Sequence, residues 1–406
     1  MTAGVDIHPP GSIKTAMGWI LLAVTLCQYL YPTDAAVALF GCVIAELSSR
    51  LLVAGLDRSQ SDDATDLRLE DILGYILLRW VLFSMSTLIL AQIYSPGFFE
   101  DHQYAFVCIL GLCLNLALIR VVCAYRTTAQ KRGALLAQMR NTVLSGGVLV
   151  VAQFGSLNCD LVLSLAIALL LAILVTLSVG VSFISPIRQG NMSASAQIEK
   201  TLLVAAPLLF RYADVVILSW VLSPLNTLNY LIARGLAQGV SIALNLLSNR
   251  ISETLISAYD TENSQEFAAV AARTNLGFLL IGGSVSVAAI SGGASIPMFF
   301  GIDAEVFQNI LFWLVAAEAA PVIFGATGLL LNIAHCSRET ILLSLLGALA
   351  VWSALIILDI SNPRQLAQVF AYVQLLIAAT SAFLLGLRFG IWPGLTAVLF
   401  RQIKLL

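Results

Sequence analysis

The chain has 406 residues, of which 59% are hydrophobic and only 11% charged, and its net charge is −2. Charged residues make up about a quarter of a soluble globular protein, so this composition excludes that class, and the small net charge favours no class of partner. The apolar residues form continuous runs of membrane-spanning length, whereas barrel strands would alternate apolar and polar residues, so the sequence predicts an all-α polytopic membrane protein.

Twelve apolar runs are long enough to cross a bilayer as helices. Residues 1–14 lack a basic start followed by a small-residue cleavage site, so the first run is predicted to be a retained span rather than a signal peptide. The predicted spans, numbered 1 to 12, lie at residues 16–31, 35–56, 72–94, 103–124, 141–157, 161–184, 201–221, 226–249, 274–299, 308–333, 340–358 and 366–387.

Basic residues predict the orientation of these spans. With a cytoplasmic N-terminus, the inner segments hold fifteen of the 21 Lys and Arg residues and the outer loops hold only Arg364. Such a bias is the signature of cytoplasmic loops, so both termini are predicted to be cytoplasmic. The other basic residues fall inside spans, and these are Arg50, Arg79, Arg120, Arg211 and Arg234.

The polar linker 185–200 divides the spans six and six. It separates a predicted N-terminal lobe, 1–184, from a C-terminal lobe, 201–387, and an amphipathic tail, 388–406, is expected to lie in the inner interface. Shifting the sequence by 192 residues places Leu30-Tyr31-Pro32 on Leu222-Ser223-Pro224. Since six is even, the two lobes are predicted to be related by a pseudo-twofold axis along the membrane normal, as in transporters.

Three further segments carry local predictions. The acidic inner loop Asp57–Asp71 is expected to be a solvated surface turn. The glycine-rich stretch Gly282–Ser295 of span 9 predicts close helix packing. The seven cysteines show no C-x-x-C spacing and are expected to be free thiols, mostly within spans.

Spans 7 and 8 form a hairpin, 201–250, whose turn is predicted at Ser223–Asn226 and which carries charges at depth. Arg211 lies about ten residues into span 7, roughly 15 Å from the inner end. A charge at mid-bilayer costs at least about 2.5 kcal/mol, so it either faces a polar cavity or is neutralised. Asp214 follows three residues later, which allows a self-neutralising pair on one helix face, while Pro207 favours a cavity wall.

Arg234 in span 8 has no acid one turn away in its own helix, and Gln238 is only a neutral neighbour. Its guanidinium must therefore find an acid in another helix, water or an anionic ligand. Arg50 in span 2 has Glu46 one turn earlier and is near enough to the inner surface to snorkel. Glu318 in span 10 is a deep carboxylate that suits either a proton carrier or a hydrogen-bonded structural acid.

Short sequence motifs lie in spans 2, 7 and 8. The motif AGLD at 54–57 ends span 2, and Asp214 in span 7 is followed by Tyr230 and Ala233 early in span 8. With these motifs, the segments Leu30–Ser59, Arg211–Ala237 and Gly328–Leu349 resemble the polysaccharide and oligosaccharide flippases of the multidrug/oligosaccharidyl-lipid/polysaccharide (MOP) superfamily. The resemblance implies a 6+6 fold that moves lipid-linked glycans between leaflets by alternating access. It also implies a cationic cavity with arginines in spans 2 and 8, the positions of Arg50 and Arg234.

This chain differs from the lipid II flippases of the superfamily, which carry an arginine in span 1 and have two further spans. The predicted function is therefore the movement of a prenyl-(di)phosphate-linked oligosaccharide or polysaccharide repeat unit to the outer leaflet. Guanidinium groups suit this anionic head because they bind phosphate oxygens in pairs. The predicted substrate-binding residues are Arg50, Arg211, Arg234 and Gln238, and the candidates for ion coupling are Asp214, Glu318 and Glu46.

No metal or resident cofactor is expected, and H+ or Na+ is the candidate coupling ion. The expected partners are the lipid-linked glycan, the bilayer, and the polymerase and glycosyltransferases of glycan assembly, with no nucleic acid. The expected location is the bacterial inner membrane.

Two other functions compete with this one. An ion-coupled multidrug exporter of the same fold would favour acids and aromatics over arginines in its chamber, because its substrates are cations. A membrane enzyme of glycan assembly would need a water-exposed acid, base or metal group. The longest outer loop has eight residues, the three histidines are scattered, and no G-x-S-x-G, H-E-x-x-H or P-loop spacing is present.

Overall fold

The computed structural model describes the part of the chain in which most of the predicted C-terminal spans fall. Predicted spans 1, 5 and 6 lie outside it, and only part of span 4 lies within it. The described residues are 32–54, 64–67, 69–94, 109–114, 116–117, 187–190, 194–260, 264–300, 303–334, 336–390 and 392–394.

The chain divides into two compact units, and the boundary falls between Leu208 and Leu209. In the first unit, helix α1 (Pro32–Val53) and helix α2 (Leu69–Tyr94) confirm predicted spans 2 and 3. Residues 109–114 and 116–117 of predicted span 4 are also helical. The predicted lobe boundaries at 184 and 201 stay a prediction.

Two loops of the first unit that were predicted to lie on the inner side form a small sheet that the sequence did not predict. Strand β1 (Ala64–Leu67) lies in the acidic loop that was expected to be a turn, and strand β2 (Ile187–Gly190) lies in the polar linker. They pair antiparallel with Ala64 opposite Gly190 and Leu67 opposite Ile187. The expectation of a solvated turn is therefore wrong for these four residues, because backbone pairing with a distant segment replaces hydration.

The second unit contains both continuous and broken helices. Helix α3 (Ala194–Arg211) leads into it and is followed by two single turns, α4 (Ala213–Val216) and α5 (Leu218–Val221). Pro224 then starts α6 (Pro224–Asp260), a continuous helix of 37 residues. The predicted turn at Ser223–Asn226 is thus shorter than expected, because proline is well tolerated in the first turn of a helix.

The rest of the second unit follows the predicted spans. Span 9 comprises α7 (Ser264–Gly277), a π-helical turn (Phe278–Gly282), α8 (Gly283–Gly293) and α9 (Ile296–Phe300). Span 10 comprises α10 (Ala304–Glu318), α11 (Ala320–Phe324) and α12 (Thr327–Ile333). Spans 11 and 12 are α13 (Ser337–Leu358) and α14 (Pro363–Phe389).

Local signals set the ends of these helices. The Asp303 side chain caps α10 by accepting from the Glu305 and Val306 amides at 2.9 and 3.2 Å. Asn362 caps α14 in the same way, with Pro363 in the first turn. Helix α14 runs to Phe389, so the predicted tail boundary at 388 is two residues early.

The outward faces of the described helices are apolar. Six of them are long and apolar enough to cross a membrane. Along α13 the exposed large side chains recur one turn apart, as do those along α14, and they include Leu342, Leu346, Leu349, Ile356, Tyr372, Leu376, Phe383 and Leu387. An apolar stripe facing outward is the reverse of a soluble helix and is what a lipid-facing surface requires.

Candidate functional site

Arg234 on α6 lies at the centre of an ionic cluster and is almost completely buried, with only 2% of the residue exposed. Its guanidinium pairs with Asp214 on one side, with Nε 3.1 Å from Oδ2, and with Glu318 on the other. The ring of Phe370 from α14 lies under the guanidinium, 4.6 Å from its centre. We name these three charged residues, Asp214, Arg234 and Glu318, the ionic cluster.

Three residues on one face of α6 build this cluster. Tyr230, Arg234 and Ser241 are four and seven residues apart, which places them on one side of a helix. The Tyr230 hydroxyl donates to Asp214 Oδ2 at 2.8 Å, and the Ser241 hydroxyl donates to Glu318. Each acid therefore receives one neutral donor and one charged partner from the same helix, which offsets much of the cost of burying it.

The contact between Arg234 and Asp214 is ionic rather than a well-directed hydrogen bond. Nε of Arg234 and Oδ1 of Asp214 have no hydrogen-bond partner within the described part of the chain. The close approach of Nε to Oδ2 nevertheless keeps opposite charges together in a region of low dielectric constant. The Asp214 side of the cluster is thus less completely hydrogen-bonded than the Glu318 side.

Each acid of the cluster lies at a break in a helix. Tyr212 and Ile217 interrupt predicted span 7 on either side of Asp214. Glu318 is the last residue of α10, where Ala319 interrupts predicted span 10. The continuous helix α6 therefore joins the breaks of two discontinuous helices through a single guanidinium. Discontinuous helices of this kind form the substrate and ion sites of many transporters.

Side chains from other helices satisfy the carbonyl groups that the break in span 7 leaves open. Nη2 of Arg234 donates to the Arg211 carbonyl at 2.8 Å. The indole N–H of Trp352 on α13 donates to the Ala213 carbonyl at 3.0 Å, while the Ile217 amide is directed to Val215 instead. Non-helical backbone at membrane depth persists only where such partners exist.

One of the two alternatives that the sequence left open for Arg211, a pair with Asp214 on one helix face, is wrong. The helix ends at Arg211, so the two side chains are not one turn apart, and Asp214 pairs with Arg234. Arg211 is half-buried and has no ion-pair partner among the described residues, and its Nε is buried without a hydrogen bond there. It lies within electrostatic range of Glu318.

The sequence left Glu318 as either a proton carrier or a hydrogen-bonded structural acid, and the structure shows that it is hydrogen-bonded. It accepts from both Arg234 and Ser241, so it is a hydrogen-bonded acid with a fixed counter-ion. Its partner Arg234 is 84 residues away in the chain, and no local pattern could reveal the pair. Of the three partners considered for Arg234, an acid in another helix, water or an anionic ligand, the structure shows the first, and its role in substrate binding stays a prediction.

The other predicted residues are not members of the ionic cluster. Arg50 and Glu46 belong to the first unit and pair with each other within α1, with Nη2 3.0 Å from Oε1. Gln238 is half-buried one turn after Arg234, and its side chain makes no hydrogen bond to another residue that the structure describes. Arg79, another basic residue inside a predicted span, donates to the carbonyls of Leu52 and Ala54 at the end of α1.

Asp214 and Glu318 bring two negative charges to the ionic cluster and Arg234 brings one positive charge, so the cluster itself has one more acid than base. The nearby Arg211, which is not a member of the cluster, brings a second positive charge and makes the four residues together close to neutral. In the described part of the chain, no group of three or more His, Cys, Asp or Glu side chains could hold a metal ion. This arrangement allows Arg234 to change its ion-pair partners. If either acid loses its charge, Arg234 loses one of its two ion pairs.

The chain was compared with known proteins. No protein-family model matches the sequence, and no curated protein sequence matches it. Solved structures do match, at low identity. A multidrug resistance MATE family transporter of the MOP superfamily, in an inward-facing conformation, is 13% identical with a TM-score of 0.64, covering 94% of this chain and 95% of that one.

Two further structures share the fold. The lipid II flippase MurJ, in an inward closed conformation, is 11% identical with a TM-score of 0.61, covering 91% of this chain and 85% of that one. A MOP superfamily transporter from Pyrococcus furiosus is 13% identical with a TM-score of 0.51, covering 92% of this chain and 85% of that one. The chain therefore has the fold of MOP superfamily transporters, which confirms the predicted all-α polytopic class and is consistent with twelve helices in two lobes.

Proposed function

We propose that this protein is an alternating-access flippase that carries a prenyl-(di)phosphate-linked oligosaccharide or polysaccharide repeat unit from the cytoplasmic to the outer leaflet. The fold supports transport, since the solved structures that share it over most of their length are transporters and a flippase of lipid-linked cargo. An integral membrane location follows from the apolar helices. The inner membrane, the cytoplasmic termini, and work beside a glycan polymerase and glycosyltransferases belong to the same proposal.

The observation that carries the choice of an anionic substrate is Arg211. A guanidinium at membrane depth without a direct ion pair is expensive, and Glu318 is only within electrostatic range of Arg211, so an anionic ligand or water is suited to contact this guanidinium. Arg211 ends a helix at a break, is half-buried, and has no ion pair in the described residues. A diphosphate offers the paired oxygens that a guanidinium binds best.

The remaining predicted residues take supporting roles in this proposal. Arg234 reaches an anionic ligand only after Asp214 or Glu318 releases it, because both of its sides are occupied. Protonation of either acid, or binding of Na+ to it, would cause that release, and this makes Asp214 and Glu318 the coupling candidates. Arg50, Gln238 and Glu46 stay secondary candidates, since Arg50 and Glu46 already neutralise one another.

One observation favours the second candidate function, an ion-coupled multidrug exporter. Two acids already neutralise Arg234, so the cluster lacks the excess of positive charge that the sequence suggested. Buried acids beside an aromatic ring are also suited to an organic cation. The two functions differ in the sign of the charge that they carry.

Transport by the purified wild-type protein in vesicles separates these functions. Two cargoes are compared, a fluorescently labelled prenyl-diphosphate oligosaccharide and a lipophilic cationic dye, with protein-free vesicles as the control. We expect the glycan to reach the opposite leaflet faster than in the control and the dye to be unaffected. Accumulation or extrusion of the dye without movement of the glycan would replace the flippase with the exporter.

A further inference from the structure

The chain turns back on itself after its last long helix. Gly390 ends α14 in a left-handed conformation, with φ of 67°, and its amide donates to the Gly386 carbonyl at 3.0 Å. Positive φ favours glycine because a side chain would be strained there. Trp392, Pro393 and Gly394 return along the helix instead of continuing it, so the described residues of the predicted interfacial tail beyond α14, Gly390 and 392–394, are not helical.

Trp392 packs on the end of α14. Its ring lies so close to Gly386 that a Cβ there would come within 2.6 Å of a ring carbon. The same ring meets Phe383 edge to face, with 6.0 Å between ring centroids. Because residue 386 is a glycine, the indole can pack flat against the helix, and the edge-to-face contact with Phe383 further stabilises this packing.

Gly394 reaches the second break of predicted span 10. It has φ of 62°, and a Cβ there would come within 2.6 Å of the Gly325 amide nitrogen. Gly325 itself has φ of 79°, and a Cβ on it would come within 2.7 Å of the Gly394 nitrogen and 2.9 Å of Pro393. Because Gly325 and Gly394 are both glycines with positive φ, the backbone of the tail can contact the backbone of the second break of span 10 directly.

The same break is held from another side by α7. The side chain of Asn275 accepts from the Ala326 amide, with 3.4 Å between the two atoms. Between this break and the one after Glu318 lies only the single turn α11 (Ala320–Phe324). A restraint on Gly325 therefore acts on a short rigid segment whose other end carries an acid of the ionic cluster.

We propose that Trp392–Gly394 is a strap that fastens the second break of span 10 and so restrains the position of α11 and of Glu318. Release of the strap would let α11 and α12 change their mutual angle without unfolding either one. Because hinge residues at helix ends absorb most of a conformational change, fastening Gly325 selects one state of the helix. The strap's effect on transport rests on the proposed function, whereas its hold on the break does not.

Hydrogen–deuterium exchange of the full-length protein in detergent tests the strap. Trp392→Ala removes the indole that packs on Gly386, and Trp392→Phe keeps an aromatic ring against Phe383. Gly328→Ala is the matched control, since nothing lies within 4 Å of a Cβ added there and it lies in the same broken span. The amides compared are those of residues 320–330 and, as an internal reference, those of α13.

We expect Trp392→Ala to speed exchange over 320–330 by roughly tenfold while α13 exchanges as in wild type. The exchange rate over 320–330 in Trp392→Phe should be much closer to that of wild type. Gly328→Ala should exchange at the wild-type rate outside its own position. Unchanged exchange over 320–330 in Trp392→Ala overturns the strap, as does an equal rise in α13. Neither result depends on cargo, so failure of the strap and failure of glycan transport are distinguishable.

Discussion

Arg234 and Glu318 form a buried ion pair although they are 84 residues apart in the chain. The same guanidinium contacts Asp214, so one residue of a continuous helix binds the broken ends of two others. Two consequences follow from this geometry. Removing the Arg234 guanidinium should lower the stability of the protein by more than the loss of one charge suggests. It should also leave the two helix breaks without their common ion-pair partner.

Arg234→Met is expected to destabilise the protein by about 3 to 5 kcal/mol, because it leaves two buried carboxylates without a counter-ion. The measurement is thermal unfolding of the purified protein in detergent. Adding Glu318→Gln and Asp214→Asn to Arg234→Met should recover part of the loss, since no buried charge then remains unpaired. Gln238→Ala, one turn away, serves as the control. A melting temperature for Arg234→Met equal to that of Gln238→Ala would show that the pairs contribute little.

Trp352→Phe is expected to cost about 1 to 3 kcal/mol, because it removes the donor to the Ala213 carbonyl while keeping an aromatic ring. Trp313→Phe is the matched control, since Trp313 is also half-buried and packs against Tyr372 with 5.3 Å between ring centroids. Thermal unfolding again gives the comparison. If the two substitutions lower the melting temperature equally, the carbonyl contact has no special role in holding the break.

Gly282→Ala and Gly283→Ala should differ sharply although they are neighbours. A Cβ on Gly282 would come within 2.8 Å of Leu244 and closer still to Val322, whereas nothing lies within 4 Å of a Cβ on Gly283. We expect Gly282→Ala to cost about 1 to 3 kcal/mol through overpacking. Combining it with Val322→Ala should restore part of the loss. Equal stability of the two alanine variants would contradict the close packing of the π-helical turn against α6 and α11.

The positions of the described spans were predictable because hydropathy and length constrain them strongly. Helices α13 and α14 begin and end within three residues of predicted spans 11 and 12. The cap of α14 at Asn362 and Pro363 is also visible in the sequence. These features are local, and local patterns determine them.

The partners of the deep charges were not predictable in the same way. The spacing of Arg211 and Asp214 suggests one helix face, but Tyr212 breaks the helix and gives each residue a different neighbour. The stripe of Tyr230, Arg234 and Ser241 was present in the sequence and marks a polar face of α6. It does not say which acids face it, because that depends on how helices far apart in the chain pack.

The pairing of the inner loops shows the same limit. Nothing in the acidic segment around Ala64–Leu67 or in the linker around Ile187–Gly190 marks it as a strand. Each segment gains its strand conformation from backbone hydrogen bonds to the other, 120 residues or more away. Sequence patterns indicate such pairs only when apolar and polar residues alternate.

Arg211 is proposed to bind the phosphates of a lipid-linked glycan, and translocation by Arg211 variants tests this role most directly. Labelled prenyl-diphosphate oligosaccharide is followed across vesicles that contain wild type, Arg211→Lys or Arg211→Ala, each first shown to melt at the wild-type temperature. We expect Arg211→Ala to slow translocation at least about tenfold and Arg211→Lys to keep part of the rate, because lysine retains the charge but not the paired geometry. Translocation by Arg211→Ala at the wild-type rate would contradict the claim.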